Sequence, residues 1–242
     1  MDGTDRGGEL EQKARELADG LTAIARTVAP SCAPFTARYV DNRVAITQGD
    51  PGGITLHASN QPVLSLKVSM SCEWDLERKF LAVHSSKIEV LASVSREPLF
   101  RFEYVRGANS VPAAHLQVHA HRDAMTYVMT TVGRTSKRPG RSAKTDGLPK
   151  LQDLHFPLGG HRFRPALEDV VEMLIDEFNL DHELDAREVL AEQRETWRLT
   201  QTKAAVRDAP EAAIEALTSM GYSISPPEDT PPPRHHGRLR AL

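Results

Sequence analysis

Three histidines recur along the segment His115-Leu-Gln-Val-His119-Ala-His121. Successive side chains of a β-strand point to opposite faces, so these histidines fall on one face while the residues between them turn to the core. Same-face neighbours on a strand lie about 7 Å apart. Adjacent imidazoles at this spacing can exchange protons with one phosphate group or bind one metal ion. The segment therefore predicts a ridge of acid–base groups.

Three interpretations fit the histidine segment. The first is an ordinary solvated sheet face, since imidazole is tolerated in strands and on surfaces. A metal site would need a further ligand, for which Asp123 or His155 is available. We predict the third, acid–base chemistry that needs no metal or other cofactor. Its candidate catalytic residues are His115, His119, His121 and His155.

Arg162 and Arg164 immediately precede a predicted helix. The free N–H groups at a helix N-terminus and the guanidinium forks of two arginines together suit an anion such as a phosphate. The alternative is structural: Phe163 packs into the core while both arginines reach Glu168, Asp169 or solvent. We predict that Arg162 and Arg164 bind an anion.

These segments resemble two known families. Histidines that alternate with apolar residues on a strand resemble the histidine-triad signature of nucleotide hydrolases, although Gln117 replaces the middle histidine of a triad centred there. The run Pro98-Leu-Phe-Arg-Phe-Glu-Tyr104, the histidine segment and Arg162-Phe163-Arg164 together resemble TumE-type toxins of bacterial toxin–antitoxin pairs, over about residues 96–178. That resemblance implies a small α+β fold, growth inhibition, action on RNA and a cognate antitoxin.

Hydrophobic periodicity predicts the helices that must position these residues. Apolar residues at three- and four-residue steps predict a helix over 9–28. A second apolar stripe predicts a helix over 165–178, with Pro165 as its first residue. Two more helices are predicted over 184–205 and 210–220.

The strands follow from two-residue alternation, which is clearest from Leu64 to Trp74. Polar turns, including Ser85-Ser86, separate the remaining strands. These are predicted near 35–46, 54–58, 80–83, 88–94, 99–105 and 115–121, with a hairpin around Gly159-Gly160. An antiparallel sheet with one wetted face is the economical arrangement. We therefore predict an α+β fold with an N-terminal helix, a curved antiparallel meander and C-terminal helices packed on one face.

The predicted organisation is one core with appendages, because a chain of 242 residues lies near the upper size of a single domain. Glycine, proline and like-charged runs mark the tails and a basic loop. The parts are a disordered N-terminus 1–8, a core 9–180 with a mobile basic loop 133–150, a helical extension 181–225 and a disordered proline-rich basic tail 226–242.

Composition narrows the function classes. The net charge of −3 argues against binding nucleic acid through the whole surface, although local patches stay possible. The two cysteines form no disulfide or zinc pattern, and no signal peptide or membrane span is visible, so we expect a cytoplasmic protein without a membrane partner. P-loop, GxGxxG, HExxH and GxSxG motifs are absent.

The sequence thus favours an RNA- or nucleotide-directed toxin or defence protein. His119, with His115 or His121, would be general acid and base for attack by a 2′-hydroxyl, and Arg162 and Arg164 would stabilise phosphorane charge. The alternative is a non-enzymatic interaction module or complex subunit with a protein partner. The enzyme and the interaction module differ in one structural feature. The enzyme requires carboxylates or arginines around the histidines, and the interaction module does not.

Overall fold

The computed structural model describes residues 3–40, 42–75, 78–106, 113–118, 122–131, 164–225, 228 and 234–239. Within these ranges the chain forms an N-terminal helix, a sheet and a group of C-terminal helices. The helices are α1 (Gly3–Arg26), α2 (Arg122–Thr131), α3 (Leu167–Phe178), α4 (Ala186–Asp208), α5 (Pro210–Ser219) and α6 (His236–Leu239). The strands are β1 (Phe35–Val40), β2 (Arg43–Gln48), β3 (Ile54–Ala58), β4 (Gln61–Trp74), β5 (Leu81–Ala92), β6 (Pro98–Val105) and β7 (Ala114–Val118).

The sheet is open and antiparallel, in the order β1-β2-β4-β5-β6-β7. Strand β3 pairs with the first half of β4, and β2 pairs with its second half. The long strand β4 therefore organises the sheet, and the β5–β6–β7 meander extends it toward the predicted histidine strand. This architecture confirms the predicted α+β fold class.

One face of the sheet carries the hydrophobic core. Strand residues such as Leu66, Val90 and Phe100 are completely buried there, together with Leu21 of α1 and Leu174 of α3. These strand residues are buried because every second side chain of β4, β5 and β6 points to this face of the sheet. Helix α2 adds Val128 to the same core. No helix of the described residues is long and apolar enough to span a membrane.

The helical layer is held together by ion pairs between α3 and α4. Arg194 binds Asp169, with 3.0 Å between Nε and Oδ1, and also contacts the carboxylate of Glu172. Arg187 reaches Glu172 at 3.1 Å and Asp176 at 2.7 Å. Beyond Leu190 the helix α4 has no buried residue, and α5 has none at all. The second half of the helical extension is therefore exposed.

Several predicted boundaries are wrong. Helix α1 begins at Gly3, within the segment 1–8 that was predicted to be disordered, since each added residue extends a nucleated helix at little cost. Helix α3 begins after Pro165, because Asp169 accepts a hydrogen bond from the Ala166 N–H and makes Ala166 the N-cap.

Two strand predictions also need correction. The alternation over 35–46 covers two strands, β1 and β2, with Asn42 in the turn at a φ of 63°, a conformation that asparagine tolerates. Ser85 and Ser86 are not a turn: they pair with Ser71 and Met70 within one continuous β5. Backbone pairing with strands on both sides outweighs the local preference of two serines for a turn.

The predicted disordered tail 226–242 is partly ordered. Arg234 binds Glu211 of α5, with 3.3 Å between Nε and Oε2, and the His235 N–H donates to the Asp208 carbonyl at 2.9 Å. Helix α6 follows directly. A basic tail segment therefore docks on the Glu211 carboxylate of α5 and on the backbone at the end of α4. The remaining tail residues other than 228 lie outside the described part.

Candidate functional site

The second face of the sheet is lined by charged and polar side chains, and we call it the polar face. Its residues alternate with core residues along β4 to β7 and are partly exposed. The members used below are Glu73, His84, Lys87, Glu89, Arg101, Glu103, His115 and Gln117. The polar face is where the sequence predicts chemistry.

His115 forms a pair with Glu103 across the β6–β7 ladder. The two residues lie directly opposite each other in register. The His115 Nε2 lies 3.3 Å from Oε2 of Glu103, and their side chains are only 13% and 21% exposed. A carboxylate beside an imidazole can orient the ring. The pair therefore has the parts of a general acid–base group.

Arg101 brings positive charge next to this pair. Its Nε donates to Oε1 of Gln117 at 2.6 Å, which fixes the guanidinium over β7. Its Nη1 lies 3.7 Å from Oε1 of Glu103 and 3.9 Å from Oε1 of Glu89. These distances are ion-pair contacts rather than hydrogen bonds. Arg101 is thus placed to stabilise negative charge beside His115.

A second histidine–glutamate pair occupies another part of the polar face. The Nδ1 of His84 and the Nε of Arg43 each lie 3.1 Å from a carboxylate oxygen of Glu73, and Nη1 of Arg106 lies 3.7 Å from it. Burial alone would raise the pKa of Glu73, but hydrogen bonding and charge from His84 and Arg43 lower it below its ordinary value. Glu73 is therefore a carboxylate held among cations.

Arg164 lies between two aromatic rings. Its guanidinium carbon is 4.1 Å from the centre of the Tyr104 ring and 4.7 Å from the centre of the Trp197 ring. Burial lowers its pKa, the neighbouring Tyr104 opposes that, and the positive charge of Arg106 lowers it further. The contact ties α4 to the sheet through cation–π attraction. Arg164 is thus held between two aromatic rings, and no carboxylate of the described residues pairs with it.

Two of the predicted site residues, His115 and Arg164, lie in the described part of the chain, and both line one small cavity between β6, β7 and the segment before α3. Arg164 packs on Tyr104, which points to the face of β6 opposite to Glu103 and His115, so the two predicted residues do not meet on the polar face. The other predicted site residues lie outside the described part of the chain. These are His119, His121, His155 and Arg162.

The histidine motif did not identify Glu73, His84, Arg101, Glu103 or Arg106. The strand alternation already pointed to these residues. A charged side chain on the wetted face of one strand lies next to the side chain on the same face of the neighbouring strand. Arg101 and Glu103 lie in the Arg-Phe-Glu run that carries the family resemblance. His84 was hidden by the wrongly predicted turn at Ser85-Ser86.

Nucleophilic and metal chemistry gain no support in the described region. Burial raises the pKa of the Cys72 thiol to about 12, so this cysteine is protonated at neutral pH. Among the described residues no three histidine, cysteine or acidic side chains gather closely enough to hold a metal ion.

Comparison of the chain with protein-family models, with curated proteins and with solved structures finds no match in any of the three. Function therefore has to be argued from the geometry of the polar face.

Proposed function

We propose that this protein acts on RNA or a nucleotide by acid–base chemistry at a phosphodiester, as a growth-inhibiting toxin or defence protein. The observation that carries the proposal is the His115–Glu103 pair, 3.3 Å apart on the polar face, with Arg101 at 3.7 Å from Glu103. A histidine ridge exposed to solvent, without carboxylate or arginine nearby, would have removed its basis. The arrangement supports the enzyme interpretation over the solvated-face interpretation.

In the proposed reaction His115 exchanges a proton with the reacting group. As a base it takes the proton of a 2′-hydroxyl, whose oxygen attacks the adjacent phosphorus. As an acid it supplies a proton to the departing 5′-oxygen. Glu103 orients the imidazole. Arg101 lies close enough to the pair to offset negative charge on the phosphorane.

The proposal predicts that expressing the chain in a bacterium slows growth and degrades RNA, and that His115→Gln and Glu103→Gln relieve both effects. Loss of one proton-transfer group lowers a rate by about 10² to 10⁴. The matched control is His236→Gln, an exposed histidine on α6. Growth, RNA integrity and melting temperature are measured for each variant. A harmless wild type that leaves RNA intact would refute the proposal.

A non-enzymatic interaction module is the second candidate, favoured by α5. This helix has no buried residue; its Ile214 and Leu217 are 44% and 39% exposed, and Met220, which directly follows the helix, is 71% exposed. Apolar stripes of this kind commonly mark protein interfaces. The docking of Arg234 on Glu211 indicates the partner: a protein segment with apolar residues flanked by basic ones, as a cognate antitoxin could supply.

The same growth assay separates the two candidates. If the protein acts by binding a partner through α5, Leu217→Ser relieves growth inhibition, His115→Gln does not, and RNA stays intact. If it acts through the polar face, the effects of the two substitutions are reversed.

A further inference from the structure

The position of His84 on the polar face depends on a β-bulge. Ser71 of β4 pairs with Ser85, whereas the next residue, Cys72, pairs with Val83. His84 is therefore the extra residue on β5. A bulge re-aims a side chain and leaves its backbone without a ladder partner. Here the displaced imidazole lies 3.1 Å from Glu73.

The same bulge fixes Arg106. The His84 carbonyl accepts a hydrogen bond from the backbone N–H of Arg106, at 2.8 Å. Arg106 directly follows the last residue of β6, so this bond holds the start of the next segment against β5. The bulge thus sets a histidine and an arginine side by side. Such irregularities are common beside functional sites.

Positive charge exceeds negative charge at this point. Arg43 and Arg106 carry two charges and His84 can take a third, while Glu73 is the one carboxylate of the described residues that pairs with them. Arg43 uses only Nε in its bond to Glu73, and Arg106 at 3.7 Å makes an ion pair without a hydrogen bond. Among the described residues, several guanidinium donors of Arg43 and Arg106 have no other partner and stay available to a ligand. Their side chains are 46% and 28% exposed.

We propose that Arg43, His84 and Arg106 form a phosphate-binding site for the backbone of a single-stranded RNA. Guanidinium groups recognise phosphate oxygens through paired donors, and a histidine can add a third donor. Glu73 pairs with all three basic side chains and so lowers the net positive charge of the site. The site recognises the sugar–phosphate chain and carries no base specificity.

This site extends the proposed function. Its role in a reaction rests on the acid–base chemistry proposed above for His115. Arg106 follows Glu103 by three residues, which is about 10 Å of extended chain. One strand of a few nucleotides can therefore reach the Arg106 site and the His115–Glu103 pair together, within the usual site size of single-strand binders. The second site would position the strand while His115 acts on its scissile phosphate.

The test is binding of a fluorescent single-stranded RNA of about a dozen nucleotides, a length within the site sizes of single-strand binders, with every 2′-hydroxyl methylated. Such RNA lacks the nucleophile of the proposed reaction, so binding is measured without cleavage. Arg43→Gln and Arg106→Gln should each weaken binding about tenfold. Each should also lower the slope of log affinity against log salt by about 0.7. Glu73→Gln should tighten binding, because it removes the opposing charge.

The matched control is Arg15→Gln, which also breaks an exposed arginine–glutamate pair but lies on α1. Arginine variants that bind like the wild type, or a control that weakens binding equally, would overturn the site. Loss of binding in Glu73→Gln at an unchanged melting temperature would also overturn it, because removal of an opposing charge should not weaken an anion site. Specific binding together with failure to cleave unmodified RNA would refute the proposed reaction and leave this site standing.

Discussion

The two faces of the sheet use the same strands for opposite purposes. On the core face Phe100 and Val90 are paired neighbours with no exposed surface, covered by the helices. On the polar face Glu89 and Arg101 are also paired neighbours, yet their side chains are 18% and 27% exposed. Strand alternation alone separates them. Burial of side chains on the core face stabilises the fold. The charged side chains of the polar face are not required for that stability.

Two glutamates show the same contrast. Glu73 on the polar face is surrounded by cations, and hydrogen bonding and charge lower its pKa despite partial burial. Glu168 is 4% exposed in the helical layer, and burial raises its pKa to about 7. The nearby Asp169 raises it as well, while Arg194 and Arg198 act against the shift. Basic neighbours favour the charged form of Glu73, whereas burial favours the neutral form of Glu168.

The largest effect that tests this contrast is expected at Phe100. Phe100→Ala should lower the free energy of unfolding by about 3 to 5 kcal/mol, because the ring is fully buried and makes an edge-to-face contact with Phe102. Lys87→Gln on the neighbouring strand is the control, since an exposed ion pair contributes little and should change stability by less than about 1 kcal/mol. Chemical denaturation measures both. Similar losses of unfolding free energy in the two variants would show that the polar face also stabilises the fold.

A smaller effect is expected from the titration of Glu168. The folded-state pKa of about 7 lies above the ordinary value of 4.5, so the folded protein binds this proton more tightly than the unfolded chain. The stabilisation of the fold by this bound proton is complete below the ordinary pKa of the carboxyl. It is lost as the pH rises to the folded-state pKa. Between pH 5 and 8 the wild type should lose roughly 2 to 3 kcal/mol relative to Glu168→Gln. If the free energies of unfolding of the wild type and of Glu168→Gln changed in parallel with pH, the raised pKa of Glu168 would be contradicted.

Much of the fold could be predicted because hydrophobic periodicity is a local signal. The apolar stripe of α3 and the alternation of β4 were both confirmed within a few residues. The site was harder to predict, since Glu103 and His115 meet only through the register of β6 and β7. The bulge at His84 was missed for a similar reason: it arises from pairing with β4, while the local sequence with two serines favours a turn.

The central claim is that the polar face performs acid–base chemistry at a phosphodiester through His115. The most direct measurement incubates the purified chain with an RNA oligonucleotide and with the DNA of the same sequence, and identifies the product ends. We expect RNA cleavage that leaves a 2′,3′-cyclic phosphate, no cleavage of DNA, and a rate at least about 100-fold lower for His115→Gln. Equal cleavage of DNA, intact RNA, or an unchanged rate in His115→Gln would contradict the claim.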